Sequence, residues 1–418
     1  MTAQLFTESA RRTLAAKCLT PRRLRAQAIV LAVCLWGVCP VDFATPGLFD
    51  RAGNIKFQDF LPLYISARLV AEHRPAELYS PQTAAQGMQE IIRQPSTVRL
   101  PYLYGPQVAL FFSPLARFSF LAAAGIWAAL SLLTYSICIY LVWKRCPALR
   151  SYPGMVALAA LAFPPLFHFF VRAQISALVL ACFTASFLAW DRHRDWLAGV
   201  ALGCLIFKPQ FLVAIPLVLL LAHAWKPLTA LGVSAITQLF FTRIYFGPAV
   251  MHAYLFTLLH MNQWLNAAEL SLAPIQMHSL RAFWTLLVPW PTAAFVLYVL
   301  TSIAAIIVAA SIWKSSSPLA LRFSALTLAA VLVNPHLFVY DLLTLAPVLL
   351  LLADWATTET KRPLTPTMRL LTYLGFTLPL LGPLSRWTHL QVSVLALLAL
   401  LVLLSRISLH QPSRPLRS

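Results

Sequence analysis

Acidic side chains are scarce in this sequence, which has 13 aspartates and glutamates among 418 residues. Charged residues of both signs make up only 11% of the chain, whereas hydrophobic residues make up 60%. Such a chain has too little polar surface to coat a soluble globule, and its apolar runs recur along nearly the whole length. The composition therefore predicts an all-α polytopic membrane protein.

The cysteine spacing of a metal site is also missing. Most of the seven cysteines lie in or beside apolar runs, where a free thiol acts as a small hydrophobe. The chain has no clustered carboxylates that could form an oxygen cage for a metal ion. We expect no metal, no cofactor and no structural disulfide, with only Cys34 and Cys39 left open as a pair. The others are Cys18, Cys138, Cys146, Cys182 and Cys204.

Positive charge is in excess, with a formal net charge of +19. In a soluble protein this would suggest a nucleic-acid partner, but here Lys and Arg gather at the ends of apolar segments, as membrane orientation demands. We therefore expect no nucleic acid. The basic stretch before the first apolar run resembles a secretion signal, but no small-residue cleavage site follows, so we interpret that run as a retained first span.

Hydropathy predicts about twelve membrane crossings. They lie near 27–47, 119–143, 154–171, 174–190, 196–207, 209–225, 227–246, 291–313, 318–334, 338–355, 368–384 and 390–405. Several are short for a hydrocarbon core of about 30 Å, and the two beside Lys208 and Pro209 could instead form one bent helix. A hairpin at Lys208 brings the later basic clusters to the cytoplasmic side with both termini, so charge favours the hairpin. The expected organisation is a basic cytoplasmic tail at 1–26, a transmembrane domain at 27–405 and a second basic cytoplasmic tail at 406–418.

This topology brings the uncommon polar residues to the outer face. Each has a structural explanation: Arg172 and Lys208 could snorkel, and Asn334 could simply end a helix. Together, cations, an imidazole and a carboxylate are what a site needs to hold an anionic headgroup and move a proton. A carboxylate at membrane depth is costly, so Asp59 is expected to be functional, the alternative being an interfacial carboxylate paired with Lys56 or Arg68. The set is Asp59, Arg172, Gln174, Lys208, His278, Arg281, Asn334, His336 and Asp341.

Two long outer segments could complete such a site. In the first, 47–118, Ser80 and Pro81 predict the start of an amphipathic helix on the membrane. The prolines of Leu100 to Pro106 exclude a regular helix and favour a groove for a sugar or a lipid chain. The second segment, 247–289, is expected to be mainly a solvated loop, apart from His278 to Arg281.

Several short motifs follow one another in a familiar order. They include Gln58-Asp59-Phe60, Tyr104-Gly105-Pro106, Arg172-Ala173-Gln174, Phe207-Lys208-Pro209 and Asn334-Pro335-His336. Over roughly residues 40–355 the chain resembles glycosyltransferase family 87, a group of GT-C membrane glycosyltransferases that includes polyprenyl-phosphate-mannose-dependent mannosyltransferases. It departs from that family at Ala173, where Gly is common, and at Gly105, where the family commonly has Pro. The resemblance implies a GT-C-like helical bundle.

The resemblance also implies a reaction. Such a protein transfers a sugar from a polyprenyl-phosphate donor onto a lipid or glycan acceptor, with inversion at the anomeric carbon. Mannose and arabinose are the family's best-known sugars. Asp59 matches the position of the general base in such enzymes. The resemblance places the reaction at the outer face of a bacterial inner membrane. The expected donor phosphate ligands are Lys208, Arg172, Arg281 and His336, and the expected groove residues are Tyr64, Tyr104, Gln174, His278 and Asn334. The competing hypotheses are a lipid or solute transporter, and a non-catalytic scaffold of the cell envelope.

Overall fold

A computed structural model describes residues 19–93, 100–260, 275–360 and 362–409. This part of the chain is helical and contains two isolated β-bridges, Phe49 with Ile55 and Met277 with Phe338, but no strand. Its α-helices are α1 Pro21–Phe43, α2 Leu61–Ala71, α3 Pro81–Ile92, α4 Pro106–Phe112, α5 Phe120–Trp143, α6 Pro153–Leu161, α7 Pro164–Arg172, α8 Ser176–Asp191, α9 Asp195–Gly203, α10 Ile215–Leu221, α11 Trp225–Leu259, α12 Leu280–Leu287, α13 Pro291–Lys314, α14 Leu319–Val333, α15 Leu345–Thr358, α16 Thr365–Thr377, α17 Ser385–Thr388 and α18 Val392–Leu409. Turns of 3-10 helix occur at Gln58–Phe60, Pro75–Glu77, Ser113–Arg117, Cys204–Phe207, Pro209–Leu212, Val339–Thr344 and Leu378–Leu384.

Five of the described helical segments are long and apolar enough to cross a membrane. They are Pro21–Phe43, Phe120–Trp143, Pro291–Lys314, Val339–Thr358 and Val392–Leu409. The pair α6 and α7, bent by 51°, would be a sixth if it forms one span. The expected count of about twelve is not confirmed, because other apolar runs form helices too short to meet that length. Prolines and 3-10 turns interrupt several of them.

The first outer segment contains the helix that Ser80 and Pro81 predict. The Ser80 hydroxyl accepts a hydrogen bond from the Thr83 N–H at 3.3 Å, which satisfies one of the free donors at the start of α3. Met88 and Ile92 are buried on this helix, which packs against α2. Whether α3 lies on the membrane surface stays a prediction.

The expectation of a loop over 247–289 is wrong for much of that segment. Helix α11 continues to Leu259 through a kink at Gly247, where φ is +82°, and the region 280–287 forms α12. Gly tolerates this backbone conformation, and Pro248 immediately after it has a φ suited to restarting a helix. His252 therefore lies within α11, and His260 caps its carboxyl end. Asn262, Trp264, Asn266 and Glu269 of the same segment lie outside the described residues.

The core is densest at α14, where every residue from Phe323 to Val333 is buried. A second close contact joins α9 to α11. A Cβ atom on Gly199 would lie 2.2 Å from the Pro227 carbonyl oxygen, and one on Gly203 would lie 2.5 Å from that of Leu231. Two glycines four residues apart thus allow these backbones to approach as membrane helices often do.

The predicted cytoplasmic and outer sides of the protein can be tested by placing single cysteines in a cysteine-free variant. We expect Ala85→Cys on α3 to react with a membrane-impermeant thiol reagent in intact cells, and Arg194→Cys and Thr358→Cys to react only after permeabilisation. All three positions are exposed, so burial does not limit labelling. Labelling of Arg194→Cys before permeabilisation, with Ala85→Cys protected, would show that the predicted orientation is reversed.

Candidate active site

Asp59 lies in the 3-10 turn Gln58–Phe60 that leads into α2. Phe57 before it has a φ of +56°, a left-handed conformation that costs a non-glycine residue about 1–2 kcal/mol. The Asp59 side chain is 14% exposed and receives two hydrogen bonds. Arg172 Nη1 donates to Oδ1 at 3.3 Å, and Gln174 Nε2 donates to Oδ2 at 2.7 Å. The carboxylate is therefore oriented by one cation and one amide.

The end of α7 explains why Arg172 and Gln174 reach the same carboxylate. Arg172 is the last residue of α7, and Ala173 caps the helix in the left-handed conformation, with a φ of +50°. This turn reverses the chain so that the residues on either side of it contact Asp59. Helix ends of this kind favour glycine, which gives a physical reason for Gly at the position of Ala173 in the family that the chain resembles.

Tyr104 and Trp127 orient the Gln174 side chain and backbone. The Tyr104 hydroxyl donates to Gln174 Oε1 at 3.2 Å, and Trp127 Nε1 donates to the Gln174 carbonyl at 3.2 Å. Burial, and to a smaller extent the negative charges of Asp341 and Asp59, raises the pKa of Tyr104, so its phenol remains a donor. Because Oε1 is occupied, the Gln174 amide nitrogen points to Asp59.

Lys208 and Asp341 form a second cluster at the same end of the bundle. Lys208 joins the 3-10 turns Cys204–Phe207 and Pro209–Leu212, and its ammonium group forms a salt bridge with Asp341 Oδ1. Their side chains are 4% and 1% exposed. The Ser176 hydroxyl donates to the same oxygen at 2.6 Å, whereas Asp341 Oδ2 has no hydrogen-bond partner within the described residues. This pair is thus neutralised inside the protein.

Tyr340 links the two clusters. Its phenol interacts electrostatically with both Asp59 and Asp341, and also with Arg172. The Lys208 ammonium lies 5.5 Å from the centre of the Tyr340 ring. The two acids therefore lie within electrostatic reach of the same aromatic side chain and belong to one site.

His336 and Arg281 lie at the edge of this site. The His336 N–H donates to Asn334 Oδ1 at 2.9 Å, at the turn that follows α14. The pKa of His336 is lowered to about 4, mainly by burial, with Asp341 opposing the shift and Lys208 and Arg281 adding to it. At neutral pH the imidazole is therefore uncharged and can donate or accept one hydrogen bond. Arg281, near the start of α12, is exposed.

The model of glycosyltransferase family 87 matches residues 102–335, more than half of the chain. The chain belongs to glycosyltransferase family 87. No curated protein and no solved structure matches it. Family 87 membership indicates a membrane glycosyltransferase, and the matched range includes Tyr104, Arg172, Gln174 and Lys208. Asp59 lies before that range, so its part in the site depends on the geometry described above.

Two expected groove residues of the family 87 protein lie in its packed interior. Tyr64 is 6% exposed, packs against Phe60 and Phe120, and donates its hydroxyl to the Phe118 carbonyl at 2.7 Å. His278 is 1% exposed and shares a 2.7 Å hydrogen bond between Nδ1 and Ser393 Oγ. The Tyr64 hydroxyl and His278 Nδ1 thus have hydrogen-bond partners inside the protein, and a part for either residue in a groove stays a prediction.

Lys208 was predicted as a cation available to a phosphate, and in the structure its ammonium group contacts Asp341. Its partner Asp341 was noted as a polar outer residue but was not assigned to the site, and Ser176 was missed. The signal for Asp341 was present: an acid in one apolar run and a base in another are each costly unless they pair. No comparable signal marked Ser176, a residue type common in membrane helices.

Metal ligation has no support in the described residues, where no three His, Cys, Asp or Glu side chains are grouped to hold an ion. The cations close to Asp59 and Asp341 are instead side chains of the protein. The site of the family 87 protein thus offers an oriented carboxylate, an accessible guanidinium group and a neutral imidazole.

Proposed function

We propose that this family 87 protein transfers a sugar, with mannose as the first candidate, from a polyprenyl-phosphate donor to a hydroxyl of a lipid or glycan acceptor. The proposal depends most on one observation, the Asp59 carboxylate held by Arg172 and Gln174 at one end of a membrane-spanning bundle. A carboxylate beside an accessible cation suits a reaction that removes one proton and releases one anion.

Asp59 acts as the general base. A carboxylate has about four acceptor positions, and Arg172 and Gln174 occupy one on each oxygen. A remaining lone pair accepts the proton of the acceptor hydroxyl as its oxygen attacks the anomeric carbon. The bond from that carbon to the phosphate oxygen breaks on the opposite face, so a β-linked donor yields an α-linked product.

Arg172 and Arg281 stabilise the leaving lipid phosphate. The Arg172 side chain is 37% exposed, and a guanidinium group has five N–H donors, of which one contacts Asp59. Arg281 is exposed on α12 close enough to His336 to affect its charge. Charge-assisted hydrogen bonds from guanidinium groups fit phosphate oxygens well. Neutral His336 supplies a further donor to the phosphate or positions the acceptor.

The Lys208–Asp341 pair supports the site from within. Because Asp341 neutralises Lys208, we assign the pair to joining the turns on either side of Lys208 to the turn Val339–Thr344 that leads into α15, rather than to binding phosphate. Tyr104 borders the groove, whereas the fully buried Asn334 holds the turn before His336 by accepting its backbone N–H. The reaction occurs at the outer face of the bacterial inner membrane, with both termini in the cytoplasm.

The test is a donor panel. Purified full-length protein is incubated with radiolabelled polyprenyl-phosphate mannose, polyprenyl-phosphate arabinose or GDP-mannose, and with a total membrane extract as acceptor. We expect label to move from a polyprenyl-phosphate sugar and not from the nucleotide sugar. Use of GDP-mannose alone would overturn the donor assignment. Movement of intact donor across proteoliposomes, without chemical conversion, would establish the transporter instead.

A further inference from the structure

A cavity of about 490 Å³ lies beside the first half of α1, apart from the residues that contact Asp59. It is lined by the first half of α1, the second half of α5, α6, α15 from Ala346 to Thr357 and α16 from Arg369 to Phe376. Asp59 and Asp341 are not among the lining residues. The volume is in the range of small-molecule sites, about 300–1,000 Å³. Most of the wall is aliphatic or aromatic, and it includes the stacked rings of Phe163 and Phe376.

Polar groups of the wall are concentrated towards the helix ends. Tyr373 donates its hydroxyl to Gln27 Oε1 at 2.9 Å, and Arg369 Nη2 donates to the Ala356 carbonyl at 3.0 Å. Thr372 differs from these, because it is 8% exposed and its hydroxyl has no hydrogen-bond partner in the part of the chain described. A buried hydroxyl without a partner is unfavourable. A ligand that offers an acceptor oxygen would satisfy it.

Positive charge lies on the cavity wall and next to it. Arg369 lines the cavity, and Arg22 and Arg25 are exposed on the first turns of α1, next to the lining residues Pro21 and Leu24. Across residues 19–93, 100–260, 275–360 and 362–409, none of the three forms a salt bridge. The acid at the end of α15, Asp354, instead accepts a hydrogen bond from the Leu149 N–H at 3.1 Å. One arginine of the wall and two on the adjoining turns of α1 therefore have no acidic partner among the described residues.

We propose that this cavity binds one acyl chain of an anionic glycerophospholipid, with its phosphate held by Arg22, Arg25 and Arg369. An ester oxygen of the same lipid accepts the hydrogen bond of Thr372. Anionic headgroups attract basic segments at the membrane surface, and apolar walls match an acyl chain. The sugar donor is a poorer occupant, because neither Asp59 nor the arginines assigned to its phosphate, Arg172 and Arg281, line this cavity.

The first experiment compares lipids on delipidated full-length protein in detergent. Native mass spectrometry and thermal unfolding are measured with dioleoyl phosphatidylglycerol, dioleoyl phosphatidylcholine or undecaprenyl phosphate. We expect phosphatidylglycerol to be retained and to raise the Tm, since a ligand that binds the folded state stabilises it. Equal retention of phosphatidylcholine would overturn headgroup recognition. Preferential retention of undecaprenyl phosphate would overturn the proposal in favour of the lipid of the transfer reaction.

Charge is tested by the double variant Arg22→Gln/Arg25→Gln. Its affinity for phosphatidylglycerol is expected to fall by about 30-fold, the equivalent of about 1 kcal/mol for each arginine near the headgroups. Arg386→Gln is the matched control, because this exposed arginine lies on α17, which does not line the cavity. An unchanged affinity in the double variant would contradict the assigned headgroup contacts.

The cavity itself is tested by filling it. Ala159→Phe on α6 is expected to lower phosphatidylglycerol affinity by about tenfold or more, since the ring would replace the acyl chain. Ala157→Phe is the control, because Ala157 is exposed on the same helix and outside the cavity. If Ala159→Phe does not fold, the smaller change Ala353→Leu in the same wall replaces it. Unaltered binding in the folded filling variant would show that the lipid sits elsewhere. These readouts do not involve sugar transfer, so their failure is distinct from failure of the proposed reaction.

Discussion

Replacing Asp59 by asparagine is expected to lower sugar transfer by about 10²-fold or more. The change keeps the shape of the side chain but removes the proton acceptor, and a positioned general base contributes about 10²–10⁴ in rate. The fold should tolerate it. Gln174 can rotate its amide to face the new side chain, because the Tyr104 hydroxyl can accept a hydrogen bond as well as donate one. Turnover and donor affinity are measured separately, and only turnover should fall.

Glu90→Gln is the matched control for this experiment. Glu90 is another carboxylate of the first outer segment that pairs with an arginine, since its Oε2 lies 3.3 Å from Arg68 Nη1, but its side chain is 62% exposed. Exposed pairs of this kind contribute little, so transfer by the control should match that of the parent. Near-parental turnover of Asp59→Asn would remove Asp59 from the mechanism.

Replacing Lys208 by methionine is expected to destabilise the protein by about 3–5 kcal/mol. The change leaves Asp341 without a cation at a position that is 1% exposed, and breaking a buried ion pair from one side costs about that much. Lys226→Met is the control, because Lys226 is exposed and its loss should alter stability by less than about 0.5 kcal/mol. The free energy of unfolding is measured in detergent for both variants.

A second substitution separates the structural role of Lys208 from contact with phosphate. In Lys208→Met/Asp341→Asn no charge remains buried, so most of the lost stability should return. Sugar transfer by the double variant should then stay within severalfold of the parent, because Arg172 and Arg281 still meet the phosphate. A double variant that is stable but inactive would assign the phosphate contact to Lys208. A double variant as unstable as Lys208→Met would show that the pair is not the cause.

Local composition was enough to find the longest membrane helices. The apolar runs predicted at 119–143 and 291–313 correspond to Phe120–Trp143 and Pro291–Lys314. Length and hydropathy are properties of a continuous segment, so they can be read without knowing its neighbours. The short runs were harder to interpret, because a helix such as α14 is buried among other helices and need not match the thickness of a bilayer. The kink at Gly247 was missed because a glycine followed by proline also occurs in loops.

The polar groups of the site were visible in the sequence, but their partners were not. Asp59, Arg172 and Gln174 stood out because polar side chains are rare in so apolar a chain. Their mutual contacts depend on helix ends that are 113 and 115 residues from Asp59 along the chain. Tyr64 shows the same limit, because the sequence does not distinguish a tyrosine that lines a groove beside a candidate base from one that fills the core.

The amino-acid sequence by itself determined the membrane setting, the main apolar helices and the family, because each depends on composition or on residue order along the chain. Tertiary structure alone decided which cation faces which acid. Lys208 and Asp341 are 133 residues apart, and only the packing of α8, α14 and α15 brings them together. Both side chains are buried there, where either charge without the other would be strongly unfavourable. That pairing leaves Arg172, beside Asp59 and partly exposed, as the cation the site presents outward.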